Sequence, residues 1–319
     1  MPTKVSRGVS EVFGFPPELA TEEALEARTN YRCPFIGSRC LKQSQHRDHD
    51  SSIPFGACSV WHKGEADAEL KPYVICPTRF TEQQRVFSDV LKLFPDTPGT
   101  VIEMVKEVSL KGIGRIDQTL VQIDDDDGSP IEFNILEIMA CSTTSTGYVI
   151  KSFNKALRGE PITERLNYGI NYRQVLSRMA VQALSKIEAC DQWGAHMVWA
   201  IQDTLYNYMH NTTMLDLPLV PLTALDQPDA YTLPALLLFI YSMERDPNGK
   251  FTLVLSEIRC GTGEQFAQIM RPRRTPPRDS IIDQLSAKIA DGKSVPLTRE
   301  GIVEIAAEIM EDAPEARDE

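Results

Sequence analysis

Apolar and polar residues alternate through the middle of the chain in a pattern that predicts a hairpin. The apolar run Thr119 to Ile123 reads as one strand, and Ile131 to Ala140, β-branched and apolar, as a second. Between them Asp124 to Pro130 reads DDDDGSP, a composition suited to a turn and little else. With the turn centred on Asp127, antiparallel pairing opposes residues equidistant from it, and Asp117 and Glu137 are each ten positions away. Side chains alternate with period two, so Ile131, Phe133, Ile135, Glu137 and Met139 share one face, and Glu137 interrupts an apolar surface.

Helical spacing marks the flanking elements. Val86, Phe87, Val90, Leu91 and Phe94 predict an amphipathic helix over Thr81 to Phe94, with Thr81 as N-cap and Pro95 and Pro98 ending it. Val101 to Val108 suits either helix or strand; as a helix it would put Glu103 and Glu107 on one solvated face. Asn171 to Ile187 repeats apolar residues at Val175, Leu176, Met179, Ala180, Ala183, Leu184 and Ile187, which predicts the long helix packed on the sheet. His196 to Ile201, Leu236 to Ile240 and Phe251 to Ile258 read as buried strands, and Ser280 to Ala290 and Thr298 to Met310 as closing helices. The order implies an α/β fold, a mixed β-sheet flanked by helices.

At 319 residues and 42% hydrophobic, the chain can bury one large core or two smaller ones. No apolar run approaches the roughly 18 residues of a membrane span, and the opening MPTKVSRGVSEVFGFPPELA has no apolar signal core, so the expectation is a cytoplasmic protein without membrane contact. A formal charge of −12 argues against polyanion binding over the whole surface, although part of the acid is local, in Asp124 to Asp127 and Glu311 to Glu319. Arg271, Arg273 and Arg274, with Arg278, form the densest basic run; in a Pro-broken loop they can grip phosphates, read guanines, or simply face solvent.

Two patterns carry candidate chemistry. A carboxylate at Glu137 is costly to bury unless positive charge compensates it, and a divalent cation shared with Asp117 would do so; the alternative is an edge-strand acid facing water. The second pattern is Cys33, Cys40, Cys58 and Cys76, spaced C-x6-C-x17-C-x17-C around the polar stretch Ser44 to Ser52. Reduced cytosolic thiols clustered this way suit a closed tetrahedral zinc or iron site that staples a segment too polar to build its own core. Buried unligated cysteines are the other reading, and His46, His49 and His62 are replacement ligands. His196 and His210 read as packing or surface residues.

Several of these residues resemble the NotI-like type II restriction endonucleases. The resemblance rests on Glu11-Val12-Phe13-Gly14-Phe15-Pro16, Cys33-Pro34-Phe35, Cys40 with Lys42, Phe55-Gly56-Ala57-Cys58-Ser59-Val60 and Ile75-Cys76-Pro77-Thr78-Arg79-Phe80, and it resumes around the hairpin. It implies an N-terminal four-cysteine module over residues 1–80, with Cys33, Cys40, Cys58 and Cys76 holding one structural iron, zinc being the alternative. It further implies a magnesium-dependent PD-(D/E)xK nuclease core over 81–319, in which Asp117 and Glu137 hold the ion and Glu107, in a Glu-Val step, joins them. Met139 departs from the family pattern, which carries Lys or Gln two residues after the strand acid. A thioether neither carries charge nor hydrogen-bonds water well, so that role falls to another group or to a second metal ion; Lys151 can supply an ammonium, its plainer reading being a helix-surface residue. The expected activity is hydrolysis of double-stranded DNA at a specific, GC-rich palindrome by a homodimer. The alternative is a noncatalytic DNA-binding or scaffold protein with a structural metal.

Overall fold

The computed structural model describes residues 8–64, 69–162, 166–226 and 232–294. The expected helix Thr298–Met310 lies outside them. Residues Met1–Arg273 form one compact unit and Arg274–Glu319 a second.

The first unit begins with β1 (Val9–Val12), α1 (Glu22–Thr29), a small pair β2 (Arg32–Cys33) and β3 (Ser38–Arg39), then β4 (Ala57–His62) and β5 (Lys71–Val74). After α2 (Arg85–Leu91) come the long strands β6 (Thr100–Leu110), β7 (Gly114–Asp124) and β8 (Pro130–Ile138). There follow β9 (Thr143–Thr144), α3 (Thr146–Leu157), β10 (Gly169–Ile170), α4 (Tyr172–Trp193), β11 (Met197–Gln202), α5 (Asp203–Thr212), β12 (Leu219–Val220), β13 (Leu236–Arg245), β14 (Phe251–Gly261) and α6 (Gly263–Phe266). The second unit contributes α7 (Arg278–Ala290), none of whose residues is buried.

Seven strands make one mixed sheet in the order β12-β14-β13-β11-β8-β7-β6. β11 runs parallel to both β8 and β13, and the remaining neighbours are antiparallel. One face packs with Ile135, Trp199, Leu238 and α4 residues such as Met179, Ala183 and Ile187; the other packs Leu136, Val198 and Phe239 against Val86 and Val90 of α2. This two-sided cover explains why β11 and β13 are apolar almost without interruption. The segment Val101 to Val108 is extended, and as β6 it forms the sheet edge. The N-terminal strands share the α3/α4 core, since Val9, Phe13 and Phe55 pack with Phe153 and Ile150.

The helix expected over Thr81–Phe94 is broken. A 3₁₀ segment spans Pro77–Gln84 and α2 starts only at Arg85, with Gln83 and Gln84 in left-handed backbone at φ 49° and 55°. The cause is a buried charge network. Arg79, fully buried, donates to Glu11 at 3.0 Å, Glu82 at 2.9 Å and the Phe251 carbonyl at 2.8 Å, while Glu82 also accepts from the Leu253 N–H at 2.9 Å. Satisfying those buried groups outweighs one more helical turn.

Candidate active site and cysteine cluster

The hairpin of β7 and β8 follows the register expected from its turn over most of its length. Pairs run from Gln122↔Glu132 to Gln118↔Leu136, with an irregularity only at Ile123↔Pro130, next to the turn. One step beyond Gln118↔Leu136 sets Asp117 opposite Glu137. On the other side of β7, Lys106↔Gln118 and Val108↔Ile116 bracket Glu107 and Asp117. Glu107, Asp117 and Glu137 therefore occupy one transverse row of β6, β7 and β8.

Their side chains differ. Glu107 has left-handed backbone at φ 61°, and its exposed carboxylate pairs with Arg115. Asp117 is exposed. Glu137 is 4% exposed, and burial pushes its carboxyl above the usual range. A hydrogen bond and ion pair from Lys186 oppose that rise, the nearby Asp117 carboxylate adds to it, and a hydrogen bond donated by the Asp117 backbone N–H opposes it. The Glu137 carboxylate thus gathers an acid, an ammonium and a backbone donor at the open end of the hairpin.

Lys186 is a member of this site that the strand pattern does not reveal. It lies on α4, 2% exposed, and its Nζ pairs with Glu137 Oε1. A helical signal for it is present: Ala183, Lys186, Ile187 and Cys190 follow i, i+3, i+4 spacing, so Lys186 sits within the apolar stripe of α4 rather than outside it. α4 is capped by Asn171, whose side chain accepts from the Gln174 N–H at 3.4 Å, and ends at Gly194, left-handed at φ 67°. Ser185 also donates to the Ile113 carbonyl at 3.3 Å, tying α4 to the β6–β7 turn. Met139 is half-buried, and Lys151, on α3, is exposed.

Cys33, Cys40, Cys58 and Cys76 all line one cavity of about 70 Å3, with Lys42 and Phe55 beside them. All four are free thiols. Burial raises the thiol of Cys40 to about 11 and lifts those of Cys33 and Cys58 as well, and each of these three feels the charge of another cysteine of the set. Lys42 donates to the Ala57 and Ile75 carbonyls at 2.8 and 3.1 Å and feels Cys76, Cys58 and Cys40. Among the described residues no three His, Cys, Asp or Glu side chains are already drawn in to metal-ligand spacing. The four thiols nonetheless form a donor set suited to a tetrahedral metal, and an ammonium beside them offsets part of the charge of four thiolates. No histidine lines this cavity. His49 bonds the Ile53 carbonyl at 2.8 Å, His46 accepts from the Asp48 N–H, and His62 packs edge-on to Tyr73.

Arg271, Arg273 and Arg274 are exposed, and Arg273 Nε donates to the Thr213 carbonyl at 3.0 Å. The fold also assembles a larger basic surface from residues far apart in the chain. His46, Arg47, Tyr148, Lys151, Lys155 and Arg158 line an open cleft of about 690 Å3 beside α3. The spacing Lys151, Lys155 is i, i+4, which places both ammoniums on one helix face.

The family model described as "Restriction endonuclease NotI" matches residues 20–218. That span takes in the four cysteines, the acid row and Lys186, and stops before β13. No curated protein matches the chain.

Proposed function

Because the chain belongs to the NotI restriction-endonuclease family, and is therefore a site-specific nuclease acting on double-stranded DNA, we propose that it hydrolyses phosphodiesters at a GC-rich palindrome with magnesium at Asp117 and Glu137. The observation that carries the residue assignment is the shared row of β7 and β8, which brings an exposed and a buried carboxylate into electrostatic contact. Two hard oxygen donors, one of them a carboxyl that burial still holds above its ordinary range despite Lys186, suit a divalent cation. When bound there, the ion would polarise the scissile phosphate and lower the pKa of the attacking water. Asp117, reaching solvent, would meet the phosphate side of the site, and Glu137, held by Lys186 and the Asp117 backbone, would keep a fixed position. Glu107 belongs to the same row and would join on release from Arg115. This arrangement supports a PD-(D/E)xK-type core on the large mixed sheet.

The four cysteines would hold one structural iron, with zinc as the alternative, and would position residues 1–80 beside the nuclease part at 81–319. That division is one of role, since both segments share a core. The α3 cleft and the run Arg271, Arg273 and Arg274 are the proposed contacts to DNA, by charge to phosphate and by bidentate Arg hydrogen bonds to bases. A palindromic target is matched by a two-fold homodimer, and a cytoplasmic location follows from acting on intracellular DNA. No helix among the described residues is long and apolar enough to cross a membrane. The test is incubation of the chain with plasmid and bacteriophage DNA in magnesium and in chelator. Discrete fragments in magnesium alone are expected; intact DNA retarded in a gel shift would favour a noncatalytic DNA-binding protein.

A further inference from the structure

We propose that Lys186, on α4, is the catalytic ammonium of this nuclease, standing in for the missing lysine or glutamine at Met139 and binding the attacking water beside Glu137. The inference rests on the nuclease reading above.

Three observations carry it. First, Glu137-Ile138-Met139 puts a thioether where a water-orienting group is needed, and Met139 is half-buried with its N–H bonded to the Ala200 carbonyl at 3.0 Å. Second, Lys186 is the only buried lysine among the described residues, and it reaches the strand acid itself. Burying both charges is a poor source of stability compared with apolar residues of similar size, so the pair is better explained by what it does than by what it stabilises. Third, an ammonium has three N–H donors, and among the described residues Glu137 is the hydrogen-bond partner of Lys186. Donors remain for a water next to the acid pair. α4 is braced for this task at both neighbouring positions, by Ser185 on the Ile113 carbonyl and by Ile187 in the core.

The step balances without a redox partner. The water oxygen forms a bond to phosphorus, the bond from phosphorus to the departing deoxyribose oxygen breaks, the water's proton passes to solvent, and the departing oxygen takes a proton from solvent. Lys186 acts as a hydrogen-bond donor that stabilises negative charge developing on the attacking oxygen and the phosphate.

The experiment measures single-turnover cleavage of DNA that the wild-type chain cuts, together with a gel shift on that DNA and a thermal melt. Lys186→Met is expected to keep specific binding and to lose cleavage by roughly 100-fold or more. Adding Met139→Lys to Lys186→Met, which returns an ammonium to the other side of Glu137, is expected to recover at least about tenfold of that loss. A role confined to neutralising Glu137 predicts instead that adding Met139→Lys to Lys186→Met restores the thermal melt without restoring cleavage; that result overturns the proposal, and because the double variant returns the positive charge it decides the matter even if Lys186→Met alone fails to fold. Wild-type cleavage by a folded Lys186→Met also overturns it while leaving the nuclease reading intact. A wild-type chain that cuts nothing in magnesium overturns both.

Discussion

A carboxylate buried as deeply as Glu137 must be met by positive charge or hold a proton, and Asp117 across the hairpin makes the need greater. Asp117→Asn and Glu137→Gln preserve shape and remove one charged oxygen ligand. Each is expected to cut cleavage by on the order of 100-fold or more, with specific DNA binding kept or strengthened as phosphate repulsion falls. Glu132→Gln is the matched control, because Glu132 pairs with Gln122 toward the turn, well away from the acid row. It should cleave nearly as the wild type in the same plasmid assay. A dead Glu132→Gln beside an active Glu137→Gln would move the catalytic acid to the other end of β8.

α3 presents Lys151 and Lys155 on one face of the open cleft, and each ammonium near a DNA phosphate releases condensed counterions on binding. Replacing both with Ala should weaken binding about equally across DNA sequences and reduce the slope of log affinity against log salt by about 0.9 for each phosphate no longer neutralised. A gel-shift titration at several salt concentrations reads this directly, and an unchanged slope would remove α3 from the DNA surface. The broken helix at Glu82 shows the converse case. There a local helical preference yields to Arg79, whose buried guanidinium links β1, the segment leading into α2, and β14 through Glu11, Glu82 and Phe251.

Over the whole molecule, the cysteine cavity and the sheet share one core, so loss of the proposed metal should be felt beyond residues 1–80. Metal analysis is expected to return about one iron or zinc per chain, since four thiolates close a tetrahedral site. Cys58→Ser should lose the metal and solubility together; a soluble, folded Cys58→Ser with full metal content would refute that site. The sequence alone determined the features governed by short-range patterning: the period-two strands, the Asp-rich turn that sets the register of Asp117 and Glu137, the helical stripe of α4 and the cysteine spacing. Those depend on neighbours a few residues away, which a pattern records. It left Val101 to Val108 ambiguous, because apolar and acidic residues there fit both periods, and only pairing with β7 made it a strand. Lys186 meets Glu137 across 49 positions of chain and Arg79 meets Phe251 across 172. Such contacts are settled by where the sheet and α4 pack, and no local pattern names the partner of a buried charge until the tertiary structure brings the two together.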